Sequence, residues 1–181
     1  MAKVLSFTPE NPEEEVTCRK VFLSGTIDNG DSANWQDEVV RYMKNFNAIG
    51  EDLCIYNPRR EHWGELETRD MHHQITWELK HQEECDLNVM VLLESSKSPI
   101  SLMELGLFAR TGKLIVLCSE KFYRYDNVEV VCKRYGVPLY VLCDGDWKRW
   151  AISHIIVGEL EERYGFKVTE NCDITYFLPK K

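Results

Sequence analysis

DLNVMVLLESSKSPISLMELGLFARTGKLIVLCS, residues 86–119, decides the fold. It begins and ends on short apolar runs, 87–93 and 114–118, that lack the alternation of a sheet with one face in water. Between them Ser98 stands as an N-cap, Pro99 suits the first helical position, and the apolar segment through Ala109 reads as a helix. Strand, helix and strand in this order form a crossover unit, and strands that are apolar throughout are those covered by helices on both faces. One residue resists the pattern. Glu104 lies three or four positions from Ile100, Leu107 and Phe108, with Leu102, Leu105 and Ala109 on the adjoining side. Its carboxylate is therefore expected to be buried, and a buried carboxylate needs either a partner or a use for its shifted pKa.

The same alternation extends in both directions. RKVFLSG (19–25), DLCIYNP (52–58) and PLYVLC (138–143) read as further strands. DSANWQDEVVRYMKNF (31–46), DMHHQITWELKHQEEC (70–85), DNVEVVCKRYG (126–136) and DWKRWAISHIIVGELEERYG (146–165) read as helices. The expected architecture is a single-domain α/β fold, a doubly wound five-stranded parallel sheet of flavodoxin-like size, with no internal repeat. Residues 1–16 are polar, proline-containing and acidic, and read as an N-terminal arm or edge segment ahead of a domain spanning 17–181.

The formal net charge of −8 leaves no basic stripe for a phosphate backbone, which excludes polymeric nucleic acid and favours a small-molecule ligand. Seven cysteines are spread singly without a CxxC pair, so they read as reduced, structural thiols. His72, His73 and His81 have no second ligand cluster and read as surface or capping residues; neither a metal nor a cofactor is expected. With no signal peptide after Met1 and no long uncharged apolar run, a soluble cytoplasmic protein without a membrane partner is expected.

In open parallel sheets ligands bind beyond the C-terminal strand ends, here SGTIDNG, NPRREHW, ESSKSP, SEKFYRYDN and CDGDW. The first loop offers Ser24, Gly25 and Thr26 for close approach and Asp28 as a hydroxyl partner, but contains neither GxGxxG nor a Walker loop. Asn57, Arg59, Arg60 and Trp63 follow the second strand; the arginines could grip a carboxylate or phosphate, or an acidic residue of the protein itself. In ITWELKHQEEC, Ile75, Leu79 and Trp77 form an apolar stripe, and Glu78 reads as an ordinary surface charge. Residue chemistry alone leaves Glu104 divided between an ion pair with Arg59, Arg60 or Arg110 and a nucleophile toward a carbon that develops positive charge.

VFLSGTIDNGDSANWQ, IYNPRR, QITWELKHQEECDLNVMVLLE, SPISLMELGLFARTGK and DNVEVVCKRYG, in this order, resemble the nucleoside 2-deoxyribosyltransferases, in particular a branch marked by SPISLxELGLFA. The resemblance runs from about Val21 to Gly136. It implies a flavodoxin-like enzyme that moves 2-deoxyribose between nucleobases through a deoxyribosyl ester on Glu104, two inversions giving net retention. It also implies that Ser24, Gly25 and Asp28 approach the nucleoside, that Asn57 and Arg59 line the base pocket, and that Glu78 acts on the base. Trp77, Ser98 and Ser101 complete the expected substrate-binding set. Asn127 would complete a neighbouring subunit's sugar site, which implies a homo-oligomer. Ser98 and Pro99 depart from the bacterial branch, which carries an acidic residue before its nucleophile, and NPRREHW lacks a following tryptophan-aspartate pair. The expected partners are a nucleoside or nucleotide and a free nucleobase. Two alternatives remain: an N-glycosidase hydrolysing deoxynucleosides or their 5'-monophosphates with the same glutamate, and a non-catalytic nucleotide-binding module.

Overall fold

The computed structural model describes residues 2–11, 14–47, 49–61, 63, 68–142 and 149–169, with 68 and 69 as backbone only. The expected rim loop CDGDW, and with it Cys143 and Cys172, lies outside the described residues.

Among the described residues there are six parallel strands and five α-helices: β1 (Val4–Phe7), β2 (Arg19–Gly25), α1 (Trp35–Lys44), β3 (Leu53–Tyr56), α2 (Thr68–Glu84), β4 (Leu87–Leu92), α3 (Pro99–Phe108), β5 (Leu114–Ser119), α4 (Tyr125–Tyr135), β6 (Leu139–Leu142) and α5 (Arg149–Tyr164). The sheet order is β1-β3-β2-β4-β5-β6. The five expected strands alone run second, first, third, fourth, fifth, which is the flavodoxin-like order. The count of five is corrected to six because Val4–Phe7, inside the expected polar arm, pairs in parallel with Leu53–Tyr56. A four-residue edge strand needs one neighbour and half a buried face, so its apolar signal is weaker than that of the central strands.

Burial alternates along the strands between two layers. Val21 and Leu23 of β2 join Val89 and Val91 of β4 under α1 and α5, where Trp35, Val39, Ile152 and Ile156 are fully buried. Phe22 points the other way, into an aromatic cluster with Tyr56 and Trp77 of α2, while Met90 and Leu92 meet Leu105 and Phe108 of α3. Each such aliphatic or aromatic side chain contributes roughly 1.5–3 kcal/mol on burial. α1 starts where the Asn34 side chain accepts from the Asp37 N–H at 3.2 Å, and its charges suit the helix dipole, Asp37 and Glu38 first, Arg41 and Lys44 last.

Candidate functional site

The chain order reverses where β2 lies between β3 and β4, so the crevice opens above Gly25. Gly25 has φ 122°, and a Cβ there would lie 2.1 Å from the Val91 carbonyl oxygen. No side chain fits, and the chain passes directly to Thr26, whose N–H donates to that same oxygen at 2.9 Å. The Thr26 carbonyl accepts from Trp35 Nε1 at 2.9 Å, and its hydroxyl accepts from the Leu93 N–H at 3.1 Å. The rim is strained: Asp28 (φ 52°), Asn29 (φ 51°) and Ser98 (φ 41°) are left-handed without being glycine, a conformation that clusters at functional sites. Ser98 occupies the N-cap position of α3, as expected, but its hydroxyl does not cap the helix. It bonds Thr26 Oγ1 at 2.7 Å and Ser96 Oγ at 2.9 Å, and Ser96 Oγ donates to Asp28 Oδ1.

Glu104, on the second turn of α3, is 6% exposed. None of the three arginines considered from the sequence is paired with it. Arg59 donates to the carbonyls of Gly30, Ser32 and Ala33, Arg60 to Gln74, and Arg110 is exposed over the Tyr135 ring. Instead Oε1 accepts from Gln82 Nε2 of α2 at 2.7 Å. Gln82 Oε1 accepts from Asn88 Nδ2 of β4 at 3.1 Å, and Asn88 Oδ1 accepts from the Ser24 hydroxyl of β2 at 2.7 Å. Burial raises the Glu104 pKa, and the bond from Gln82 opposes that rise. Of the neighbours expected to enclose it, Phe108 is buried, whereas Ile100 and Leu107 are more than half exposed together with Met103. The helix is apolar on every side, so periodicity could not tell which side meets the sheet.

Glu78 is corrected from a surface charge to a half-buried group. Its Oε1 accepts from Gln74 Nε2 at 2.6 Å, and burial, reinforced by the Glu104 charge, pushes its pKa up to about 7. Gln74 also donates to the Pro58 carbonyl and accepts from Arg60 Nε, so α2 and the loop after β3 hold Glu78 jointly. The buried stripe of α2 is Gln74, Trp77, His81 and Gln82, with Ile75 facing solvent, because polar groups with partners across the interface can occupy a core-facing side. His81 is corrected from a surface residue to a buried ring stacked on Tyr56 at 3.9 Å. Trp77 is 5% exposed and packs against Phe22 and edge-on to Tyr56.

Other expected site residues lie at varied depths. Asn57 is buried, donates to Asp37 Oδ1 at 2.6 Å and accepts from the Arg59 N–H at 2.9 Å. Arg59 and Arg60 line a cavity of about 610 Å³ with Asn34, Asp37, Glu10 and Glu61. Neither Glu104 nor Glu78 lines it; Glu78 is linked to it through Gln74 and Arg60, whereas Glu104 bonds Gln82. Ser101 is buried one turn ahead of Glu104. Asn127 is exposed and lines a separate cavity of about 310 Å³ with Leu102, Leu105 and Val131. The sequence reading missed Gln74, Gln82 and Asn88; the signal was the spacing 74, 78, 82, which stacks three polar side chains on one helix face.

Among the described residues no group of three or more His, Cys, Asp or Glu could hold a metal ion, and no helix is long and apolar enough to cross a membrane. Cys18, Cys54, Cys85, Cys118 and Cys132 are free thiols. A family model described as nucleoside 2-deoxyribosyltransferase like matches residues 18–122, more than half of the chain and every element from β2 through β5. Comparison with curated proteins gave no match.

Proposed function

The chain belongs to the nucleoside 2-deoxyribosyltransferase-like family, and from that premise we propose that it transfers 2-deoxyribose between nucleobases through an ester on Glu104. The observation that carries the reading is a buried carboxylate with an amide donor and, among the described residues, no paired cation, on the helix that follows β4 at the switch point of the sheet. A salt-bridged glutamate would be a poor nucleophile because its charge would already be neutralised, whereas a desolvated one held by a neutral amide keeps its electron pair available.

A free Glu104 oxygen attacks the anomeric carbon of a bound deoxynucleoside. The bond from that carbon to the base nitrogen breaks, its electron pair goes to the nitrogen, and protonated Glu78 supplies the proton there. An incoming base then loses its proton to Glu78 and attacks the same carbon, releasing the Glu104 carboxylate. Each displacement inverts the centre, and the two together retain it. Asp28, exposed at the rim beside Ser96, accepts from a sugar hydroxyl. Asn57 and Arg59 act by shaping the 30–33 loop, and Ser24 by supporting Glu104 through Asn88.

Hydrolysis of deoxynucleosides or their monophosphates is the second reading, favoured by the Ser96 and Ser98 hydroxyls beside the start of α3. A phosphate there would meet the Asp28 carboxylate, which repels it, so the unphosphorylated nucleoside is the expected substrate. Assembly of copies belongs to the transferase reading, since Ile100, Met103 and Leu107 lie exposed on α3, the helix that also supplies Leu102 and Leu105 to the cavity that Asn127 lines.

Incubation with deoxyuridine and adenine should yield deoxyadenosine; free sugar appearing at the same rate without an acceptor base would replace transfer by hydrolysis. Glu104→Ala should lower turnover by at least about a thousandfold while nucleoside binding persists. Undiminished turnover would end the assignment.

A further inference from the structure

Glu104 is buried on α3, but the groups that hold it come from three other elements. A carboxylate can only accept, so Gln82 must present Nε2 to it. That choice turns Gln82 Oε1 toward Asn88, which must answer with Nδ2. Asn88 Oδ1 is then left toward Ser24, whose hydroxyl is the donor. All three side chains are buried, at 2% exposure or less, so water does not compete for these bonds. Every hydrogen points the same way, from Ser24 through Asn88 and Gln82 to Glu104.

We propose that Ser24, Asn88 and Gln82 form a one-way hydrogen-bond chain that positions the nucleophile: it occupies Glu104 Oε1, leaves Oε2 as the attacking oxygen, and holds the carboxylate ionised in its apolar site. The inference rests on Glu104 being the nucleophile and names the residues that make it one. A flipped Gln82 amide would aim its carbonyl oxygen at Glu104 and favour the protonated, inert form. Asn88 opposes the flip because its Nδ2 already donates to Gln82 Oε1, while its Oδ1 accepts from the Ser24 hydroxyl. The bonds are cooperative, each polarising the next, so removal of a distant member weakens the last.

The titratable groups around Glu104 are few. The Glu104 charge acts on Glu78 of α2, with Arg60 acting on Glu78 in the opposite sense. His81, beside Gln82 in the chain, is stacked on Tyr56. Asp28 lies at the exposed rim against Ser96. β2 and β4 contribute only Ser24 and Asn88 to the chain, neither of which titrates. A change in the Glu104 titration on altering Gln82, Asn88 or Ser24 therefore cannot come from removing a charge.

The test is the titration of Glu104 in the resting enzyme, followed by NMR with glutamate labelled at the carboxyl carbon and the Glu104 signal assigned by its absence in Glu104→Gln. Gln82→Met should move the midpoint up by about one pH unit or more, since the lost donor stabilised only the ionised form. Asn88→Leu should raise it by a lesser amount with Gln82 intact, because it removes the group that orients the Gln82 amide and introduces no charge. Ser24→Ala should give a smaller upward shift, and it decides the matter if the larger changes do not fold. In turnover, Gln82→Met should lower kcat roughly 10- to 100-fold at neutral pH with a lesser effect on KM, and its acidic limb should move upward with the titration. An unmoved Glu104 midpoint in folded Gln82→Met or Ser24→Ala overturns the chain. Turnover surviving in Glu104→Ala overturns the nucleophile instead, and the two results are read from different variants.

Discussion

Burial moves the Glu78 carboxyl from the ordinary glutamate range up to about 7, which suits a group that must give a proton and take it back near neutral pH. The same shift has a cost in stability. The unfolded value is about 4.3, so folding takes up a proton between the two values; stability is greatest below that window, falls as pH rises through it, and levels off above about 7. Glu78→Gln removes the ionisation and keeps an oxygen that can accept from Gln74. Two outcomes are expected together. Transfer falls and the limb of the pH profile near 7 disappears, while denaturant unfolding at pH 8 shows a gain on the order of 1–3 kcal/mol that is absent at pH 4. A variant that loses stability at pH 8 would show that Glu78 is held for structure.

Elements bring these residues together, and the seam between β2 and β4 matters most. Gly25→Ala forces a methyl group against the Val91 carbonyl at a φ that disfavours any side chain. It should cost at least about 3 kcal/mol, measured by chemical denaturation, because the blocking atom is backbone in the middle of the sheet. A loss under about 1 kcal/mol would mean that the strands can separate there. The helices were legible to different degrees. α1 and α4 were read from the sequence as helices only; each carries a polar and an apolar side, and Val128 and Cys132 on the apolar side of α4 are buried. α3 is apolar all round, and its outward Ile100, Met103 and Leu107 could not be told from its inward Leu105 and Phe108. α2 misled in the opposite sense, since Gln74 and Gln82 face inward on partners contributed by other segments, while Ile75 faces water.

On the scale of the molecule, the sheet closes over thiols whose reactivity reports its integrity. Burial pushes Cys85, Cys118 and Cys132 up to about 12, far from the thiolate that reacts. Cys54 is fully buried and Cys18 half-buried just ahead of β2. Under native conditions a thiol reagent should label Cys18 well before these four, as mapped by peptide mass, and all five together in denaturant. Early labelling of Cys118 or Cys132 would mean that α4 opens from the sheet. β1 makes a second test at this scale. Among the described residues it pairs only with β3, and its Phe7 carbonyl accepts from the Asn57 N–H at 2.8 Å. Deleting residues 1–9 should leave a folded five-stranded sheet by circular dichroism, with a lower Tm and weakened transfer through a loosened Asn57; complete unfolding would show that the edge strand is essential to the sheet.

The sequence by itself determined the parallel sheet, its five principal strands and the burial of Glu104, because hydrophobic period acts over a few residues and leaves its mark locally. It also determined the family, whose match spans residues 18–122. What Glu104 meets was decided only by the tertiary structure. Gln82, Asn88 and Ser24 come from three elements and as much as 80 positions away, and a hydrogen bond depends on tenths of an ångström between elements that composition and period do not set. The same holds for Arg59, which could have closed on Glu104 and closes on the 30–33 loop instead. A charge in an apolar helix can be read from the chain, but whether a cation or an amide answers it depends on how the helices pack.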